Sequence, residues 1–263
     1  MLRVAINGLG RIGRAAFKII LDTPGMQLIA INDLVPAENL AYLLNYDTVY
    51  GKYEKRVHAG ANLLRIEDQS FKLFNEKDPA DLPWDSLNID TVFECTGVFT
   101  EKEGLIKHIK AGARRVILSA PTKSEDVMTV VHGVNKAENG DNQVISCASC
   151  TTNCITPVVE VMGRRIGIKK AIMTTMHAFT ASQALVDSPH KKLRRGRSSE
   201  SEKYKGILDA TDDPIVSSDI IKNNHASIVD LGMTKVVDGD LVKIMSWYDN
   251  EWGYASQMIR EAL

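Results

Sequence analysis

Residues 146–154 read Ser-Cys-Ala-Ser-Cys-Thr-Thr-Asn-Cys, so three of the four cysteines share one short stretch. The stretch lies where an apolar strand pattern, residues 142–146, gives way to a helical one, Ile155–Met162. A thiol at such a junction faces the free N–H groups and positive dipole end of a helix, which favour the thiolate. Further along, Met173-Thr-Thr-Met-His177-Ala-Phe-Thr180 reads as a strand bearing a histidine. A cysteine nucleophile paired with a sequence-distant histidine base is a recurring catalytic arrangement. Cys150, at the junction and flanked by hydroxyls, is the candidate thiolate, while Cys95 and Cys154 read as inert buried thiols, the usual fate of a free cysteine. The spacing Cys147-x2-Cys150-x3-Cys154 could also suggest metal or iron–sulfur ligation. No fourth ligand lies nearby, however, and apolar strand–helix surroundings do not suit a ligand loop, so no metal site is expected.

A second chemical signature lies at the N-terminus. Gly8-Leu-Gly10-Arg-Ile-Gly13 follows an apolar strand and opens a helix, with Asp33 twenty residues beyond Gly13. Glycines there permit a tight turn and close approach of a pyrophosphate to the helix N-terminus, and the acidic residue holds the adenosine ribose hydroxyls. Asp33 would repel a 2′-phosphate, which favours NAD over NADP. Of the six histidines, His177 alone has such a context, with Thr180 following at a spacing suited to an anion. His58, His108, His132, His190 and His225 fall in polar, surface-like sequence. The run Ser246-Trp-Tyr-Asp-Asn250-Glu-Trp-Gly-Tyr254 reads equally as an aromatic hinge packed in the core or as a turn presenting the Asn250 amide to a ligand amide such as nicotinamide. The basic run Lys191–Arg197 is either a solvated surface or a grip for an anionic substrate, because arginine forks match phosphate oxygens.

These residues need elements to position them. Apolar strands at Leu2–Ile6, Met26–Ile31, Thr91–Cys95 and Arg115–Leu118 alternate with helical patterns at Ile12–Leu21, Ala37–Leu44 and Glu101–Ala111. That alternation implies a parallel sheet with crossover helices. Beyond about residue 151 the strands lengthen and alternate, as in Ala226–Asp230 and Asp240–Trp247, which suggests a mixed or antiparallel sheet on a second unit, and Tyr254–Leu263 reads as a helix. The fold class is therefore α/β: a Rossmann NAD-binding domain plus an α+β catalytic domain with a mixed, largely antiparallel sheet. The expected boundaries are 1–149 for the first domain and 150–249 for the second, with the helix of 250–263 packing back on the first. The chain has 263 residues, 44% hydrophobic and 25% charged, with a net charge of -1, which gives no electrostatic case for nucleic acid or membrane partners. No apolar run approaches the roughly 20 residues needed to cross a bilayer. The first residues run directly into a strand, so no signal peptide is expected, and the scarce, clustered cysteines point to a reducing cytoplasm.

Taken together, the motifs resemble those of phosphorylating glyceraldehyde-3-phosphate dehydrogenases. They are Ile6–Arg14, Glu94–Thr100, Ser119–Pro121, Ala148–Cys154, His177–Thr180, Pro189–Arg195 and Ser246–Tyr254, and they span nearly the whole chain. The resemblance implies a homotetramer that oxidises glyceraldehyde 3-phosphate with NAD and inorganic phosphate to 1,3-bisphosphoglycerate. It implies Cys150 as nucleophile and His177 as base. Ser149, Thr151, Thr180 and Arg195 would serve the anion sites, and Asn7, Gly8, Gly10, Arg11, Ile12, Gly13, Asp33, Ser119 and Asn250 the cofactor. Pro189 resembles NAD-preferring members. The neighbouring reading is erythrose-4-phosphate dehydrogenase, which Thr180 fits less well.

One departure stands out. After Arg197 the resemblance implies several tens of further residues before the segment matching Ser201–Leu208, including a Ser-Thr-Gly anion loop and an Arg-Val-Pro strand. The end at Leu263 also reads as clipped. Either the natural molecule carries residues that this sequence does not, or the catalytic sheet is shortened, which would expose apolar surface and unpaired strand edges. A shortened chain could be a catalytically impaired NAD-binding scaffold.

Overall fold

Leu2-Arg-Val-Ala-Ile-Asn is short and apolar, as a strand covered on both faces must be, and it forms the middle strand β1 (Leu2–Asn7) of a nine-stranded sheet. The computed structural model describes residues 1–137, 143–177 and 204–263. They divide into two units, Met1–Ser149 with Ala255–Leu263, and Cys150–Tyr254.

In the first unit, α1 (Arg11–Leu21) leads from β1 to β2 (Met26–Asn32), and α2 (Ala37–Asn45) to a small ribbon of β3 (Tyr46–Asp47) and β4 (Gly51–Lys52). Three strands follow, β5 (Val57–Gly60), β6 (Leu63–Ile66) and β7 (Gln69–Phe74), and then β8 (Thr91–Glu94), α3 (Lys102–Lys110), β9 (Arg115–Leu118), β10 (Met128–Thr129) and β11 (Val144–Ser146). The sheet order is β10-β11-β9-β8-β1-β2-β7-β6-β5. It is parallel from β10 to β7, and β6 and β5 extend it antiparallel. The chain reverses direction across the sheet on either side of β1, and ligands of such sheets bind beyond the carboxyl ends of the strands at that point. Asn7, Asn32 and Glu94 are the last residues of β1, β2 and β8.

The antiparallel extension was not legible in the sequence, because its turns rest on Asn62 and Glu67 at positive φ rather than on glycine. Beneath the sheet, Trp84 packs with Ala5, Ala30, Ile89, Val92 and Ala113. The C-terminal residues from Ala255 belong to this unit, with Ala255, Met258 and Ile259 buried and Arg115 donating to the Glu261 carbonyl at 3.1 Å.

In the second unit, α4 (Cys150–Arg165) is accompanied by a mixed sheet of β12 (Leu208–Thr211), β13 (Ser227–Val237) and β14 (Leu241–Trp247). β12 runs parallel to β13, and β13 antiparallel to β14. Their hairpin turns on Asp238 and Gly239, both at positive φ. Helix α5 (Trp252–Ala262) follows. Two expectations need correction. The helix begins at Cys150, five residues before the apolar periodicity, because Thr151, Thr152 and Asn153 suit a first turn better than a helix interior. Met173–His177 is not a strand, since no described strand pairs with it, and Ile172 and Met176 are exposed. The outer half of β13 with β14 exposes Leu231, Met233, Val236, Val237 and Leu241.

Candidate active site

The turn entering α4 sets the thiol in place. Ala148 adopts φ +57, a left-handed conformation uncommon for a residue with a Cβ, and its N–H donates to Ser146 Oγ at 3.1 Å. Cys150 is then the first helical residue. Its Sγ lies 3.1 Å from His177 Nε2, within reach of proton transfer. The His177 ring meets the Tyr248 ring edge-on at 5.8 Å, and the Tyr248 hydroxyl lies 2.9 Å from Thr151 Oγ1. Tyr248 therefore contacts both His177 and Thr151, a placement hidden in the sequence inside an aromatic run.

The helix-start argument alone anticipates a depressed thiol, but burial pushes Cys150 up, and its own and the Thr151 amide and hydroxyl pull it back only in part. Forming the thiolate therefore depends on a proton acceptor, which the geometry supplies in His177. The other thiols are buried and unsuited to attack. Burial raises Cys154 to about 11 and Cys95 to about 12, and also raises Cys147. Cys154 donates to Ser227 and Ser246 at 3.5 and 3.7 Å. Among the described residues no group of three His, Cys, Asp or Glu is arranged to hold a metal ion.

The glycine turn is built as its spacing implies. Gly8 has φ +93, and a Cβ there would sit 2.8 Å from Thr96 N; a Cβ on Gly13 would sit 1.9 Å from the Gly8 carbonyl. Gly10 differs, since an added Cβ would meet nothing within 4 Å. Gly10 also caps α1 without a side-chain bond. An open cradle over a helix N-terminus fits a dinucleotide pyrophosphate. Asp33 accepts from the Leu9 amide at 2.6 Å and the Val35 amide at 2.9 Å, tying its carboxylate to the turn. Arg11 pairs with Asp47 at 2.5 Å and lies over the Tyr50 ring. Ser119 follows β9 and donates its amide to the Glu94 carbonyl. Ile12 lies in the first turn of α1, half-buried.

In the second unit Asp249 fixes the turn around Asn250. It accepts from Glu251 and Trp252 amides through Oδ1, at 2.9 and 2.8 Å, and from the Lys222 amide through Oδ2 at 2.9 Å. Trp252 Nε1 donates to Asn224 Oδ1 at 2.8 Å, and a Cβ on Gly253 would sit 2.6 Å from the His225 carbonyl. Asn250 and Ser149 are half-buried. Thr180, Pro189, His190, Arg195 and the basic run lie outside the described residues. One histidine departs from its sequence context. His108 is 0% exposed rather than surface-like, because α3 turns it to the same face as the buried Leu105.

Comparison with known proteins bears on the family of the chain. A family model described as the NAD binding domain of glyceraldehyde 3-phosphate dehydrogenase matches residues 2–102. The C-terminal domain model of the same dehydrogenase matches in two stretches, 149–202 and 198–250. The chain is similar to a glyceraldehyde-3-phosphate dehydrogenase of Mycoplasma pneumoniae, 38% identical over 322 residues, covering 98% of this chain and 96% of that protein. It is also similar to one of Thermotoga maritima, 38% identical over 325 residues with 98% and 97% covered. A third is glyceraldehyde-3-phosphate dehydrogenase 2 of Bacillus subtilis, 37% identical over 323 residues with 98% and 95% covered. The 322 aligned positions of the first exceed the 263 residues of this chain, so the alignment leaves at least 59 positions of that relative without a counterpart.

Proposed function

Because the chain belongs to the glyceraldehyde-3-phosphate dehydrogenase family, we propose that Cys150 and His177 carry out an NAD-dependent oxidative phosphorylation of glyceraldehyde 3-phosphate to 1,3-bisphosphoglycerate. The observation that supports this most is the 3.1 Å contact between Cys150 Sγ and His177 Nε2 at the start of α4. His177 takes the thiol proton, Cys150 attacks the aldehyde carbon, and the imidazolium returns that proton to the resulting oxyanion, giving a thiohemiacetal on the sulfur. His177 then removes the hydroxyl proton as that carbon gives up hydride and becomes a thioester. NAD, when bound, supplies the hydride acceptor. Inorganic phosphate attacks the thioester carbon, the C–S bond breaks, and the Cys150 thiolate is released.

Around this centre Ser149, Thr151, Thr180 and Arg195 serve the substrate and phosphate anions. Asn7, Gly8, Gly10, Arg11, Ile12, Gly13, Asp33 and Ser119 form the dinucleotide cradle, and Asn250 offers its amide to the nicotinamide. The dinucleotide-binding domain extends over 1–149, the catalytic domain over 150–249, and the C-terminal helix serves the first. The working form is a cytoplasmic homotetramer. The family matches support this reading rather than a second one, an NAD-binding protein with impaired turnover.

The test is to mix protein, NAD, phosphate and glyceraldehyde 3-phosphate and follow the formation of reduced nicotinamide by its absorbance, with Cys150→Ser as control. Turnover abolished by that substitution supports the first reading. NAD binding with no turnover at high protein concentration supports the second.

A further inference from the structure

Glu94 and His108 are both 0% exposed, and neither has a part in the chemistry above. A buried carboxylate is tolerated only when its oxygens are filled with donors. Glu94 meets this condition. Its Oε2 accepts from Asn7 Nδ2 at 2.6 Å and faces His108 Nε2 at 3.0 Å. Its Oε1 accepts from the Thr96 amide at 2.8 Å and from the Thr96 hydroxyl.

The second nitrogen of His108 settles which proton it carries. Nδ1 lies 3.0 Å from Trp84 Nε1, and an indole N–H can only donate. Nδ1 must therefore present a lone pair, which leaves the ring proton on Nε2, aimed at Glu94. The 3.4 Å separation between His108 Nε2 and Asn7 Nδ2 is then that of two donors sharing one carboxylate oxygen.

The far end of this chain of bonds is the glycine turn. Asn7 Oδ1 accepts from Asn32 Nδ2 at 2.7 Å, and Asn32 is itself bonded to the Glu76 amide and carbonyl. The Asn7 side chain is thus directed into the protein, and the residue after it is Gly8, where a Cβ would lie 2.8 Å from Thr96 N. Glu94 grips both walls of that gap, Asn7 on one side and Thr96 on the other.

We propose that Glu94 and His108 are a positioning pair, in which His108, held as its Nε2–H tautomer by Trp84, orients the carboxylate that fixes the Asn7–Gly8 turn for dinucleotide binding. The proposal rests on the NAD reading above. Neither residue touches the cofactor, and their contribution is to the placement of the cradle. His108→Leu removes the donor to Glu94 and the acceptor for Trp84. It raises the dissociation constant for NAD about tenfold or more, the size of effect that follows from unpairing buried polar groups. The KM for the aldehyde and kcat at saturating NAD change far less. His108→Gln offers a carbonyl to Trp84 and an N–H to Glu94, and restores NAD affinity to within about threefold of wild type.

The experiment measures NAD affinity by titration calorimetry and steady-state constants for wild type, His108→Leu and His108→Gln, with circular dichroism to verify folding. A folded His108→Leu protein with wild-type NAD affinity overturns the pair, as does a loss that His108→Gln does not recover. Absence of NAD binding by the wild type overturns the cofactor reading as well, so the two failures are distinct. Should His108→Leu not fold, nitrogen NMR of histidine-labelled wild type remains decisive. A neutral Nε2–H imidazole at His108 whose resonances move on NAD addition supports the proposal, and an imidazolium, an Nδ1–H tautomer or indifference to NAD overturns it.

Discussion

Replacing His177 by Asn isolates what the imidazole does to the thiol before any substrate is present. With Nε2 at 3.1 Å from Sγ, a thiolate–imidazolium pair gains about 5 kcal/mol at an effective dielectric of about 20. Burial of Cys150 acts against that gain by raising the thiol. If a quarter of the attraction survives, about 1.4 kcal/mol, the thiolate population at neutral pH changes about tenfold. The assay is the rate of Cys150 alkylation by iodoacetamide as a function of pH; the other three cysteines are buried, so Cys150 is the thiol that reports. Wild type should show a reactive limb at neutral pH that His177→Asn lacks. The variant should react about tenfold or more slowly at pH near 7 and recover only as alkaline pH ionises the thiol. Superimposable profiles would refute the pairing, because they would mean that the imidazole leaves the charge on sulfur unchanged.

The glycine turn gives a paired test. Gly13→Ala places a Cβ 1.9 Å from the Gly8 carbonyl and should lower the melting temperature sharply, whereas Gly10→Ala meets nothing within 4 Å and should leave it nearly unchanged while weakening NAD binding about tenfold or more. Asp33→Ser should relax the preference for NAD over NADP by more than about tenfold in kcat/KM ratio, since the carboxylate no longer faces the 2′-phosphate. The buried thiols set an alkaline limit. Cys154 and Cys95 are raised to about 11 and about 12 from 9.0, so their contribution to stability is intact below about pH 9 and is lost as pH rises toward those values, when the unfolded thiols ionise first. Urea unfolding between pH 8 and 11 should show that fall, with a shallower slope in Cys154→Ala.

The parts of the site that could be read from sequence are those whose requirement is local. A glycine needed because a Cβ would strike a backbone atom, or a thiol at the start of a helix, is written in a few consecutive residues. What remained hidden depends on neighbours distant in the chain. The burial that raises Cys150 works against the helix end that the sequence displays. His108 sits among lysines, but shares a helix face with Leu105 three residues earlier, a spacing that marks it as inward-facing. Met173–His177 has the composition of a strand yet meets no partner among the described residues, and a strand is defined by its ladder rather than by its residues. Trp84 and Glu94 gain their roles only when β8, α3 and the Trp84 loop converge behind the turn.

The most direct test of a covalent route through Cys150 is to mix protein, NAD and glyceraldehyde 3-phosphate without phosphate, quench in acid, and map the acyl adduct by peptide mass spectrometry. The adduct should lie on Cys150, form together with reduced nicotinamide, and disappear on addition of phosphate. An adduct on another residue, or sustained aldehyde oxidation by Cys150→Ser, would contradict that route.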